Sequence, residues 1–147
     1  MLVGEVVGDL ECSNCFEKIP KAPMNKGSYN DGKKDGLWEI YYTSGQGGNL
    51  KLKASFKDGK PEGPWETYDV SGKLESKGSY KDGQKEGPWE IYYNSGKLWL
   101  EGSYKDGKRV GPWVSYYEPF DGIVPRMGKH GRLASEGSYK DGKPDGP

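Results

Sequence analysis

The sequence predicts an all-β protein: an elongated, twisted antiparallel meander of tandem β-hairpins of about 24 residues each, in a single layer. Three observations predict it. One unit is written four times and begun a fifth: GSYNDGKKDGLWEIYYTSG from Gly27, ASFKDGKPEGPWETYDVSGKL from Ala54, GSYKDGQKEGPWEIYYNSGKL from Gly78, GSYKDGKRVGPWVSYY from Gly102 and GSYKDGKPDGP from Gly137. Every copy carries Asp-Gly between two alternating runs, the dipeptide of the two-residue hairpin turn with positive φ. Glycine also recurs at fixed places beside aromatic rings. A chain that is only 32% hydrophobic, with Gly 24 and Pro 10, would read as disordered if it were aperiodic. Here the repeated rings supply burial, and each copy covers itself mainly by stacking on its neighbours.

Residues 1–24 read as a partly flexible leader, and residues 25–147 as the repeat array. MLVGEVVGDLEC lacks a basic start, a sustained apolar run and a small-residue cleavage site, so a cytoplasmic location is expected. Cys12 and Cys15 have metal-knuckle spacing, but a structural zinc site wants four ligands and the single histidine lies far along the chain. They read as reduced thiols, and no metal or cofactor is expected.

The tryptophans of the first four copies, Trp38, Trp65, Trp89 and Trp113, are spaced 27, 24 and 24 residues apart. Copy one carries the Gln46-Gly47-Gly48 insertion, and copy two has Asp69 where the other complete copies have a second tyrosine. In copy three the Asp82-Gly83 turn pairs Tyr80 with Lys85, Gly78 with Gly87, Ser76 with Trp89 and Leu74 with Ile91. A second two-residue turn at Ser95-Gly96 pairs Tyr93 with Leu98, Ile91 with Leu100, Trp89 with Gly102 and Gly87 with Tyr104. Both turns put the same apolar residues on one face, where Trp89 is expected to lie over Gly102. Copy four contains the insert PFDGIVPRMGKHG, residues 119–131, and copy five stops before its tryptophan, leaving an edge strand that an added strand or a second chain could cover.

The pattern GxYxDGxxxGxWxxYY followed by SGKL resembles the MORN-type repeat, in the variant found in tandem in bacterial proteins. The resemblance covers Gly27 to Pro147. It implies a twisted antiparallel β-ribbon with no catalytic residues. Similar bacterial members are often labelled YwqK-type antitoxins, and eukaryotic relatives act as scaffolds linked to membrane phospholipids.

On the face opposite the core, one tyrosine per copy forms a stripe: Tyr41, Tyr68, Tyr92 and Tyr116, near Glu39, Glu66 and Glu90 and beside Pro64, Pro88 and Pro112. The stripe is either a binding surface or cover for its neighbouring strands. Trp99 points away from the core and has no aromatic counterpart in other copies, which singles it out for contact. In the insert, Arg126, Lys129 and His130 are interleaved with apolar residues, as a contact site or a plain connection. The Lys-Asp-Gly tips offer one carboxylate each, too few for calcium.

With a single histidine, no nucleophile–base set and no phosphate loop, the chain has no visible catalytic machinery. Lys plus Arg 22 balance Asp plus Glu 22, which argues against nucleic acid as a ligand. The expectation is a non-enzymatic scaffold that binds another protein, in an antitoxin-like version by masking it. The alternatives are a phospholipid- or carbohydrate-binding module and an edge-strand homodimer.

Overall fold

The computed structural model describes residues 24–118 and 131–146. Among them, eleven strands form one open antiparallel sheet in which chain order is spatial order. They are β1 (Lys26–Asn30), β2 (Lys33–Tyr41), β3 (Leu50–Lys57), β4 (Lys60–Tyr68), β5 (Leu74–Lys81), β6 (Gln84–Lys85), β7 (Gly87–Tyr92), β8 (Leu98–Lys105), β9 (Lys108–Tyr116), β10 (Leu133–Lys140) and β11 (Lys143–Pro144). β6 pairs only with β5 and is the start of the strand that continues as β7. The all-β meander of hairpin repeats is therefore as expected. The leader with Cys12 and Cys15, and the insert through His130, lie outside the described residues.

Each hairpin turns on Asp-Gly. Asp31, Asp58, Asp82, Asp106 and Asp141 have φ of 50–51°, and the glycines after them 75–83°. Positive φ at both central positions matches the right-handed twist of the strands it joins, and glycine adopts it without a Cβ clash.

Beyond the turn the register departs from expectation. Tyr80 does pair with Lys85, but Ser76 pairs with Ile91 and Lys77 with Glu90, two residues further along. Glu86 and Gly87 are taken up in a bulge, with Gly87 at φ 78° and the Glu86 N–H donating to the Ser79 carbonyl at 2.9 Å. Gly36, Gly63 and Gly111 repeat the device, with φ of 73°, 93° and 66°. A slip of two residues keeps every side chain on its face, so the predicted faces hold although the partners change.

The second turn is also corrected. Tyr93 N–H donates to the Lys97 carbonyl at 2.9 Å and Gly96 N–H to the Tyr93 carbonyl at 2.8 Å, enclosing a three-residue loop rather than two. This places Tyr92, not Tyr93, opposite Leu98. One extra residue on β8, Trp99, then restores the expected pairs Ile91–Leu100, Trp89–Gly102 and Gly87–Tyr104.

The core is one ring thick, with Trp38, Ala54, Trp89, Leu98 and Trp113 buried. Trp89 does not lie over Gly102 as expected. Each indole covers the glycine of its own Asp-Gly hairpin: a Cβ added to Gly27, Gly78 or Gly102 would meet the rings of Trp38, Trp89 and Trp113 at 2.1, 2.2 and 2.1 Å. The two-residue bulge causes this by carrying Trp89 level with Gly78. Each of these indoles also donates to a strand carbonyl, of Ser28, Ser79 and Ser103, at 3.1–3.2 Å.

Copy two is the informative exception. Ala54 stands in the glycine's place and is fully buried, while Trp65 is only half-buried. Among the described residues its indole has no counterpart of that carbonyl bond. Within each of the first four copies the lead aromatic meets the tryptophan at 4.9–5.9 Å, and from copy two onward each tryptophan also meets the lead aromatic of the next copy at 4.8–6.2 Å, edge to face or tilted. Lys34, Lys85 and Arg109 each cap rings of two copies at 4.3–5.3 Å.

Backbone bonds also join the copies. The turn glycines Gly59, Gly83, Gly107 and Gly142 donate to the carbonyls of Lys34, Pro61, Lys85 and Arg109 in the preceding copy, at 2.9–3.0 Å. The second tyrosines reach the other way, Tyr42 to the Tyr68 carbonyl and Tyr93 to the Tyr116 carbonyl. Asp69, which replaces that tyrosine in copy two, instead accepts from Ser71 N–H, Ser71 Oγ and Lys73 N–H and closes its own loop. These bonds, the Ser71 hydroxyl first, hold its carboxyl below its ordinary value.

Candidate interaction face

The face opposite the rings is built by residues two apart on each return strand. Proline or leucine comes first, then glutamate, then tyrosine: Leu37, Glu39, Tyr41; Pro64, Glu66, Tyr68; Pro88, Glu90, Tyr92. The prolines fall directly after the positive-φ glycine of the bulge, a place in a sheet that tolerates a missing N–H. Pro64, Pro88 and Pro112 are exposed, and Leu37 is 54% exposed. They form apolar ridges spaced one copy apart.

The tyrosines are half-buried, and their hydroxyls are spent inside the sheet. Tyr41 donates to Glu39 at 2.8 Å, Tyr68 to Glu66 at 2.7 Å and Tyr92 to Glu90. Burial first, and then the carboxylate that accepts its proton, pushes the Tyr68 phenol up to about 12. Tyr92 is raised by the same causes in the same order. Tyr116 donates to Glu101 at 2.7 Å, because Val114 occupies the place of the copy's own glutamate, and its phenol is raised chiefly by that bond. The stripe therefore aims carboxylates.

Register then assembles a charge ladder across the strands. Lys26 stands opposite Glu39, Glu39 opposite Lys53, Lys53 opposite Glu66, Glu66 opposite Lys77 and Lys77 opposite Glu90. Lys77 Nζ lies 2.9 Å from Glu90 and Lys26 Nζ 3.7 Å from Glu39. Next come Glu90 opposite Glu101, Glu101 opposite Val114 and Val114 opposite Glu136. The alternation stops in copy four.

Between the proline ridges lie two open hollows. One, of about 370 Å³, runs between Pro64 and Pro88 over Glu66, Lys77 and Glu90. The other, of about 260 Å³, runs between Pro88 and Pro112 over Glu90, Glu101 and Val114.

Of the residues singled out from sequence, Tyr41, Tyr68, Tyr92 and Tyr116 share this face but stand behind the glutamates rather than in the hollows. Trp99 is 44% exposed, and its ring rests against Tyr93 at 5.8 Å because it is the bulged residue of β8. Lys51 takes the equivalent place over Tyr42 in copy one. Arg126, Lys129 and His130 lie outside the described residues. Sequence reasoning missed Lys77, Glu101 and Val114. Aligning the copies shows their exchanges, but only the register puts them side by side.

Among the described residues no group of three or more His, Cys, Asp or Glu is placed to hold a metal ion, and no helix is long and apolar enough to cross a membrane. Residues 61–82 and 85–106 match the MORN repeat variant, and residues 101–112 and 136–147 match the MORN repeat. No curated protein matches the chain. MORN repeats are commonly protein- or membrane-binding modules of a non-catalytic scaffold type. The matched residues fall on the stacked, glycine-bulged Asp-Gly hairpins of copies two to five, and these hairpins are similar to the MORN repeat and its variant.

Proposed function

We propose that the chain is a non-enzymatic binding scaffold that recognises another protein through its proline–glutamate–tyrosine face. The observation that supports this most is the pair of open hollows, one copy apart, between exposed proline ridges. Ridges and hollows at a fixed spacing suit an extended segment of a partner, whose successive side chains meet successive copies. Carboxylates held by tyrosine hydroxyls add orientation without the entropy cost of ordering free side chains. A cytoplasmic location is part of this reading. Masking of a toxin, as in the antitoxin-like proteins the repeats resemble, is its narrowest form and rests on that resemblance alone.

Affinity capture from the source cell by the whole chain tests it, beside a Pro64→Asp/Pro88→Asp variant and Trp99→Ala. One protein retained by the parent and lost by the ridge variant, then shown to bind directly once purified, is the expected result. Retention of the same protein by the ridge variant sinks the face reading. Phospholipid vesicles and a glycan panel form parallel arms, both expected to be blank, and light scattering of the same preparation reads edge-strand dimers. Co-expression of the captured protein with and without the chain tests masking through rescue of growth.

A further inference from the structure

The two hollows share their walls but not their charge. In copies one to three the outgoing strand supplies a lysine, Lys26, Lys53 or Lys77, opposite a glutamate of the return strand, Glu39, Glu66 or Glu90. Copy four exchanges both members, with Glu101 in the lysine's place and Val114 in the glutamate's. Glu101 therefore stands directly opposite Glu90 on the neighbouring strand, an arrangement that weakens a sheet. Lys77 lies against Glu90 from the other side and lines the first hollow, whereas the charged side chains that line the second are Glu90 and Glu101. Glu136 continues the negative charge on β10, opposite Val114. The walls here, Pro88, Pro112 and Val114, are apolar.

We propose that the hollow between Pro88 and Pro112 receives a lysine or arginine side chain from an extended segment of a protein partner. This rests on the reading that the face binds protein, and it names the chemistry of what it binds. A long cationic side chain fits on two counts. Its aliphatic stem lies on proline and valine, and its head lies between Glu90 and Glu101. The chain itself contains the reference for this contact one copy earlier, where Lys77 Nζ sits 2.9 Å from Glu90 at the hollow between Pro64 and Pro88. In copy four the partner supplies what Lys77 supplies there. An anionic membrane surface or nucleic acid has the wrong sign for this end of the face.

The test uses the whole chain and a short labelled peptide with lysine at alternate positions, against the same peptide with glutamate in their place. The key variant, Glu101→Lys/Val114→Glu, rewrites copy four with the residues of the first three copies, and the new glutamate again lies two residues before Tyr116. The lysine peptide is expected to bind the parent chain, more weakly as salt is raised. Binding is expected to fall at least about tenfold in the double variant, roughly 1.4 kcal/mol, while its Tm rises and its tryptophan fluorescence is unchanged. The glutamate peptide is expected not to bind. Absence of binding to the parent, equal binding of the two peptides, unchanged affinity in the double variant, or preference for anionic vesicles would each overturn the inference. The captured natural partner separates the two levels. Retained by the double variant but lost by Pro64→Asp/Pro88→Asp, it leaves the face reading standing and removes the cation; retained by both, it removes both.

Discussion

A glycine in this sheet is defined by the ring above it. Gly102 would place a Cβ 2.1 Å from Trp113, whereas a Cβ at Gly137 meets nothing within 4 Å. The two sites therefore respond differently to a side chain. Gly102→Val is expected to cost about 1–3 kcal/mol as the indole is pushed out, and Gly137→Ala to stay within about 0.5 kcal/mol, both read from urea unfolding. Equal costs would show that strand propensity, not the ring, selects glycine. Copy two has already made the milder form of this experiment, since Ala54 accompanies a half-buried Trp65. Ala54→Gly is expected to let that ring settle, seen as a blue shift in tryptophan emission. Tyr68 makes a separate prediction. Its raised phenol pKa means that the stabilising contribution of its neutral form is complete below pH 10.0 and is lost as pH rises toward about 12. Tyrosinate absorbance should show a step near pH 12, and Tyr68→Phe should remove it. At this scale the pairing of ring with glycine was legible in the sequence, but the partner was not. Alternation fixes a face, and Trp89 opposite Gly102 and Trp89 over Gly78 satisfy it equally.

The element that repeats is a hairpin with two built-in irregularities. Its tip is strict: Asp82 and Gly83 both hold positive φ. Gly83→Ala is therefore expected to destabilise by about 1–2 kcal/mol, the strain of a Cβ in the left-handed region. Thermal unfolding checks it, and a neutral result would mean that the turn can adopt another type. The bulges are what the sequence concealed. A period of two is blind to a slip of two, so the insertion at Glu86-Gly87 left no trace in the apolar pattern, although the glycine two residues before Trp38, Trp65, Trp89 and Trp113 was its mark. The one-residue bulge at Trp99 was hidden differently, because the longer loop at Asn94–Gly96 and the extra residue cancel by Leu100. That bulge is also why Trp99 was correctly read as accessible while its rest against Tyr93 was not foreseen.

Across the whole molecule each copy touches chiefly its neighbours, so the array should shorten without losing its fold. Deleting residues 78–101, one full copy, joins Lys77 to Gly102 and regenerates the same strand pattern. A single cooperative urea transition with a smaller m-value is expected, in proportion to the surface removed. Collapse to an uncooperative transition would mean that a long-range contact holds the sheet. The candidate interaction face was only half legible at this scale. Its tyrosines and prolines are visible in one copy, but the broken charge ladder exists only between copies. Glu101 and Val114 look like ordinary drift until strand pairing brings Glu90 across from Glu101.

The bond from each turn glycine to the carbonyl of the copy before it always runs the same way, from Gly59 to Lys34 and onward to Gly142 and Arg109. Such a stack has polarity, like a row of arrows: one end offers acceptors and the other donors. Two identical chains related by a twofold axis would bring donor to donor or acceptor to acceptor, so this bond cannot close a symmetric dimer. It permits only head-to-tail succession, which forms open filaments rather than pairs when it acts between molecules. In this array, then, the number of copies is the one dimension the joining bond leaves adjustable.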